Sequence, residues 1–189
     1  MPHVTRHHPL LVTLHWILAF GIIVSLTRSF LGLTHVSNAD PAKLIALRLH
    51  MTAGIVISAV MLIRLIVRLS TSKPPATTTG VAALDPLAAI THYSFYVLVF
   101  AMAGTGLATA FLAGLFPIVY GHSGAPLPPS FLVFPTRVAH GIIGWTLAAF
   151  IAMHFFAVMF HQFVRKDGVL RRMWFGRRMV PVSSSQSTY

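Results

Sequence analysis

Residues 138–160 read VAHGIIGWTLAAFIAMHFFAVMF, an uncharged run that carries two histidines, His140 and His154, fourteen positions apart. On an α-helix fourteen residues turn through about 1400°, about 40° short of four full turns, so both imidazoles share a face. They lie about 21 Å apart along the axis, and a hydrocarbon core is roughly 30 Å thick, so one falls near each edge. A helix that points imidazoles into a bundle at two depths suits two stacked cofactors, one near each membrane surface. Haem is the natural candidate.

The rest of the chain fits that reading. Of its 189 residues 56% are hydrophobic and only 9% charged, against roughly a quarter charged in a soluble domain. Three further apolar runs, 10–27, 49–67 and 88–112, are each about long enough to cross a bilayer. The expected fold is an all-α membrane protein, a four-helix transmembrane bundle with helices at about 9–32, 41–69, 86–113 and 135–166. One unit then spans 1–175, followed by a basic, Ser-rich tail at 176–189 that is expected to be disordered. The first run exceeds a usual signal-peptide core, contains His15 and lacks a small-x-small cleavage site, so it is expected to be a retained helix. With no cysteine in the chain, disulfides, iron–sulfur clusters, thiolate-ligated haem and C-x-x-C-H attachment are excluded.

The net charge of +11 is distributed by topology. Arg6, Arg64, Arg68, Lys73, Arg165, Lys166, Arg171, Arg172, Arg177 and Arg178, ten of the fourteen basic residues, fall on one side of four spans. By the positive-inside rule both termini are expected in the cytoplasm, with the basic tail beside anionic lipid. No nucleic-acid recognition motif accompanies the charge, and no nucleic-acid partner is expected. The outer edge carries Arg28, Lys43, Arg48 and Arg137, which runs against the usual bias. Arg48 and Arg137 lie within a turn of His50 and His140 and are candidates for steering an anionic substrate.

The three acidic residues mark helix boundaries. Asp40-Pro41 and Asp85-Pro86 read as N-caps with proline in the first turn, and Asp167-Gly168 as the exit of the fourth helix. No carboxylate pair is available for acid–base chemistry within the membrane. Residues 70–84 read as a cytoplasmic connector and 114–135 as an uncharged outer loop.

Five of the eleven histidines lie in membrane-length runs: His15, His50, His92, His140 and His154. Intramembrane ionisable groups are costly and usually face a functional interior. By depth, His50 pairs with His140 at the outer level and His15 with His154 at the inner level, the arrangement that bis-imidazole ligation of two haems needs. His92 competes with His15. Counting from mid-helix, His92 lies about 12 Å from midplane, His15 roughly 6 Å and His154 about 10 Å, so depth does not decide between them. Thr52, Ala53, Gly54, Gly104, Gly106, Gly141 and Gly144 give either room for a flat porphyrin or ordinary small-residue packing. Arg64 and Arg68 share the His50 face of the second helix, where haem propionates would suit them, and snorkelling to headgroups competes, above all for Arg68. His161 lies seven residues past His154 and suits a quinone or a plain interfacial position. His3, His7, His8, His35 and His122 are expected in solvent, and the methionines read as packing.

These features resemble the bacterial cytochrome b561 family of four-helix dihaem membrane proteins. The resemblance is carried by Leu14-His15-Trp16, His50 with Gly54, the run RLIVRL at 64–69, His140, His154, His161 and the run KDGVLR at 166–171. It covers roughly residues 9–174 and is looser in the third helix. It implies two haem b groups, an inner one on His15 and His154 and an outer one on His50 and His140. It also implies electron exchange with ubiquinone in the bacterial inner membrane, and the family includes superoxide oxidation, in which superoxide at the outer face is the donor. Two other readings remain: a membrane anchor for a partner dehydrogenase or hydrogenase, and a metal-ion transporter built on histidine and methionine.

Overall fold

The computed structural model describes residues 3–4, 7–71, 85–166, 168–176 and 179–180. Four helices are long and apolar enough to cross a membrane: Pro9–His35, Pro41–Ser70, Ile90–Leu112 and Pro135–Arg165. These match the four expected spans. The architecture is α1 (Pro9–Leu31), a 3-10 turn (Leu33–His35), α2 (Pro41–Ser70), α3 (Asp85–Leu112), a short α4 (Leu115–Val119), α5 (Pro135–Met159) and α6 (Val169–Arg172). The bundle forms as two close pairs, α1 with α2 and α3 with α5, joined chiefly where α2 meets α3.

Local chemistry fixes the helix ends. Asp40 caps α2, its carboxylate accepting from the Ala42 amide at 2.8 Å, with Pro41 in the first turn. His8 caps α1 through Nδ1, which accepts from the Leu10 amide at 3.2 Å. α3 begins at Asp85 as the sequence predicts, while the side-chain cap expected there lies outside the described residues, as do Arg6, Lys73, Asp167, Arg177 and Arg178. Inside the spans, hydroxyls return to backbone carbonyls one turn back: Ser58 to Gly54, Thr105 to Ala101, Thr146 to Ile142. In hydrocarbon that satisfies a donor that water cannot reach.

The side chains sort as a bilayer dictates. Leu18, Ile22, Met61, Tyr96, Val99 and Leu147 form one buried cluster, and Leu47, Ala110, Leu115 and Val119 a second near the outer end. Large apolar residues face outward, with Phe111 79% and Phe20 73% exposed. That is the reverse of a soluble helix and gives lipid tails a continuous contact.

Four expectations need correction. The fourth helix does not run as regular α-helix to 166: from Phe160 to Arg165 it is wound as a π-helix, ending at Lys166 and Gly168 in the left-handed region (φ +52° and +70°). The outer loop is not wholly irregular, since residues 115–119 bury Leu115 and Val119 as α4. Part of the basic tail is ordered, with Met179–Val180 pairing antiparallel with His3–Val4. His7, expected in solvent, is half-buried, its amide donating to the Arg172 carbonyl at 3.3 Å. The last two share one cause: after α5 the chain turns back beneath α1. There the Trp16 indole donates to the Met173 carbonyl at 3.0 Å and meets Trp174 edge-on at 5.9 Å.

Candidate functional site

Two histidine pairs meet inside the bundle, one toward each end of α5, and they are called outer and inner after the sides on which the sequence expects them. At the outer level α2 brings His50 to His140 on α5, ring centres 5.9 Å apart and planes at 84°. At the inner level α1 brings His15 to His154 on α5, 6.5 Å apart at 71°. A metal held between two imidazoles needs ring centres roughly 6 Å apart, from two bonds of about 2 Å and about 1 Å from each nitrogen to its ring centre. Both pairs fit.

The outer pair also fits in its hydrogen bonds. His140 Nδ1 donates to the Met102 carbonyl at 3.0 Å and lies 3.3 Å from Thr105 Oγ1. His50 Nδ1 meets Ser29 Oγ at 3.0 Å. His140 Nδ1, donating to a carbonyl, leaves Nε2 as the lone pair for a metal, and His50 Nδ1 does the same in the tautomer that donates to Ser29 Oγ. Such bonds fix the ring's orientation, as the outer-shell partners of ligand histidines usually do. Ser29, Met102 and Thr105 come from two other helices. No spacing within one run could have found them.

Around this pair lies a cavity of about 300 Å³ with nearly all-apolar walls, reached by all four long helices. Gly54, Gly106, Gly141 and Gly144 line it. A Cβ on Gly106 would stand 3.0 Å from His140 Cε1 and one on Gly144 3.1 Å from Met102 Cε, so the surface is pared down where a flat ring would lie. Gly104 has open space instead and does not belong to this wall.

Inner-level geometry is more crowded. His154 meets His92 at 5.7 Å and Phe95 at 5.6 Å as well as His15. Distance therefore brings His15 and His92 alike to His154. His161, on the π-helix, packs edge-on against Phe160 at 6.2 Å. Arg64 is 8% exposed, donates through a terminal nitrogen to Tyr96 Oη, and stacks on that ring at 5.5 Å. Arg68 stacks on Tyr93 at 5.4 Å. The Nε of each arginine is buried with no hydrogen-bond partner among the described residues. Two buried donors without an acceptor fit an anionic group such as a porphyrin propionate.

The outer cations divide. Lys43 is buried, its Nζ donating to the Leu33 and Val36 carbonyls at 2.7 and 2.8 Å, which ties the end of α1 to the start of α2. Arg48 donates through Nε and Nη2 to the Val119 carbonyl at 2.9 and 2.6 Å, holding α4 in place. The steering expected of Arg48 is thus shared with a structural duty. Arg137 lines the outer cavity and lies over Gly141, where a Cβ would meet its Nη1 at 3.1 Å. Among the described residues no group of three or more His, Cys, Asp or Glu side chains converges on a bare-ion site.

Comparison with known proteins agrees with this geometry. The chain is similar to a protein of Yersinia pestis named "Probable superoxide oxidase CybB", 26% identical over 174 residues, covering 89% of this chain and 95% of that one. The family description "Prokaryotic cytochrome b561" matches residues 6–176. That match starts before the first span and ends beyond the last, and the chain therefore belongs to the prokaryotic cytochrome b561 family of membrane cytochromes, which carry electrons on b-type haem.

Proposed function

We propose that this protein is a dihaem cytochrome b of the bacterial inner membrane that moves electrons from superoxide at the outer face to ubiquinone. The observation that carries the reading is the outer pair: two imidazoles 5.9 Å apart across an apolar cavity, each with Nδ1 engaged. His50 and His140 would hold the outer haem and His15 and His154 the inner one. His15 is preferred to His92 because the family resemblance runs through Leu14-His15-Trp16 and is looser in the third helix. Haem b, when bound here, would supply a one-electron iron couple, and two histidines to hold each haem would suit it to electron exchange rather than dioxygen binding.

The net reaction balances without further reagents. Two superoxide anions each give up one electron and leave as dioxygen, while one ubiquinone takes two electrons and two protons to become the quinol. Arg137 sits where its charge attracts a small anion to the outer cavity. His161, on the π-helix beyond His154, would serve the quinone as a hydrogen-bonding group, with protons drawn from the cytoplasm. Both termini lie on that side, with ten of fourteen cations, and the outer face is periplasmic.

Superoxide-driven ubiquinone reduction by the purified protein in liposomes tests the reading. Quinol formation that stops when superoxide dismutase is added is expected. Arg137→Glu should slow the reaction roughly tenfold and flatten its dependence on ionic strength, as removal of a steering charge does. No quinol formation under a steady superoxide supply would rule out the donor, and unaltered kinetics in Arg137→Glu would remove the steering role.

A further inference from the structure

A buried arginine needs a reason, and Arg64 is buried while its neighbour Arg68 is half-buried. Arg64 and Arg68 lie one turn apart on α2, facing Tyr96 and Tyr93, three residues apart on α3. Each guanidinium is stacked on a tyrosine ring, and Arg64 is further fixed by donating to Tyr96 Oη. Stacking shields one face of each cation from water, and both Nε–H groups are buried without an acceptor among the described residues. Two like charges so close, desolvated and under-bonded, are costly unless an anion joins them. The chain is poor in carboxylates, with three acidic residues against fourteen basic; Asp40 lies at the opposite end of α2, and the side chains of Asp85 and Asp167 lie outside the described residues. Arg64 is also a charged neighbour of both His15 and His154. The anion these donors await therefore belongs beside the inner pair.

We propose that Tyr96 and Tyr93 are positioning residues that hold Arg64 and Arg68 as a clamp for the propionate carboxylates of the inner haem. The proposal rests on the dihaem reading above and deepens it. Tyr96 is 4% exposed and accepts from one guanidinium nitrogen, which leaves the other donors of the fork for a second partner. The i, i+3 spacing on α3 answers the i, i+4 spacing on α2, so the two stacked pairs sit one above the other. A planar fork held in this way makes charge-assisted bonds to a carboxylate that a free, snorkelling arginine would not keep. By offsetting propionate charge near the iron, the clamp favours the reduced state of one haem.

The test is a spectroelectrochemical titration of the purified full chain, with haem counted per chain. Tyr96→Phe keeps the ring and loses only the acceptor. It is expected to retain two haems and to shift one reduction equilibrium roughly threefold toward oxidised iron. Arg64→Gln should shift that same step further, roughly tenfold, or about 59 mV for a one-electron couple. Arg64→Lys, which keeps the charge and loses the fork, should fall between. The other haem should stay where it was. Two unshifted steps in Tyr96→Phe, or both steps shifted together, would overturn the clamp and leave a packing role. If Arg64→Gln loses haem, Tyr96→Phe alone decides. Fewer than two haems in the parent protein would instead overturn the dihaem reading, and the clamp with it.

Discussion

His154 is the residue on which the inner site turns, because three rings surround it: His15 at 6.5 Å, His92 at 5.7 Å and Phe95 at 5.6 Å. A ligand and a neighbour at such similar distances are separated by what their loss does. Removing an axial histidine leaves an iron position empty and a haem loosely held, whereas removing a neighbour disturbs packing. His15→Ala is therefore expected to lose one of two haems, and His92→Ala to keep both; haem per chain by pyridine haemochrome checks it, and the opposite pattern would transfer ligation to His92. At this scale the sequence was informative about which residues matter and silent about what holds them. The fourteen-residue spacing picks out His140 and His154 because both ride one helix. Ser29, Met102 and Thr105 escaped because each meets its histidine from another helix, and a hydroxyl in an apolar run looks like any other. Tyr93 and Tyr96 were missed as well, although two polar aromatics one turn apart in an apolar helix are a signal that could have found them.

Periodicity and caps revealed the long helices, since a bilayer demands apolar runs of fixed length and Asp-Pro marks their starts. The short elements were hidden, because they depend on contacts made after the helices assemble. Val119 is fully buried by packing with Leu47 and Ala110 from other helices while its carbonyl accepts from Arg48, and the Pro/Gly-rich composition around α4 reads as loop. The return of the chain under α1 was equally hidden, since it rests on single bonds between distant residues, Trp16 to Met173 and His7 to Arg172. That return has a consequence for pH. His7 is held at about 4, below its ordinary 6.5, first by burial and then by positive charge on Arg68, His92, Arg64 and Arg172. A histidine kept neutral in the fold, yet able to protonate once unfolded, adds stability that is complete above about pH 6.5 and is lost as pH falls toward 4. His7→Gln should make the fall of the thermal midpoint across that window shallower, with little change at pH 8. An identical acid profile in the variant would show that this contact does not set acid stability.

At the scale of the whole molecule, composition decided the environment and helix count before any contact was considered. Four apolar spans, lipid-facing aromatics and a charge of +11 divided unequally between two edges describe a membrane bundle. The two close helix pairs leave room between α2 and α5 at one level and between α1 and α5 at the other, and α5 carries a histidine to each. One helix thus serves both sites, and loss of its register would be felt at two depths together. The central claim is that these four histidines hold two haems. The most direct measurement is the haem content of the purified chain, read with a dithionite-reduced minus oxidised spectrum. Two haems per chain with a low-spin b-type spectrum is the result expected, and one haem per chain, or a high-spin iron with an open position, would contradict the account.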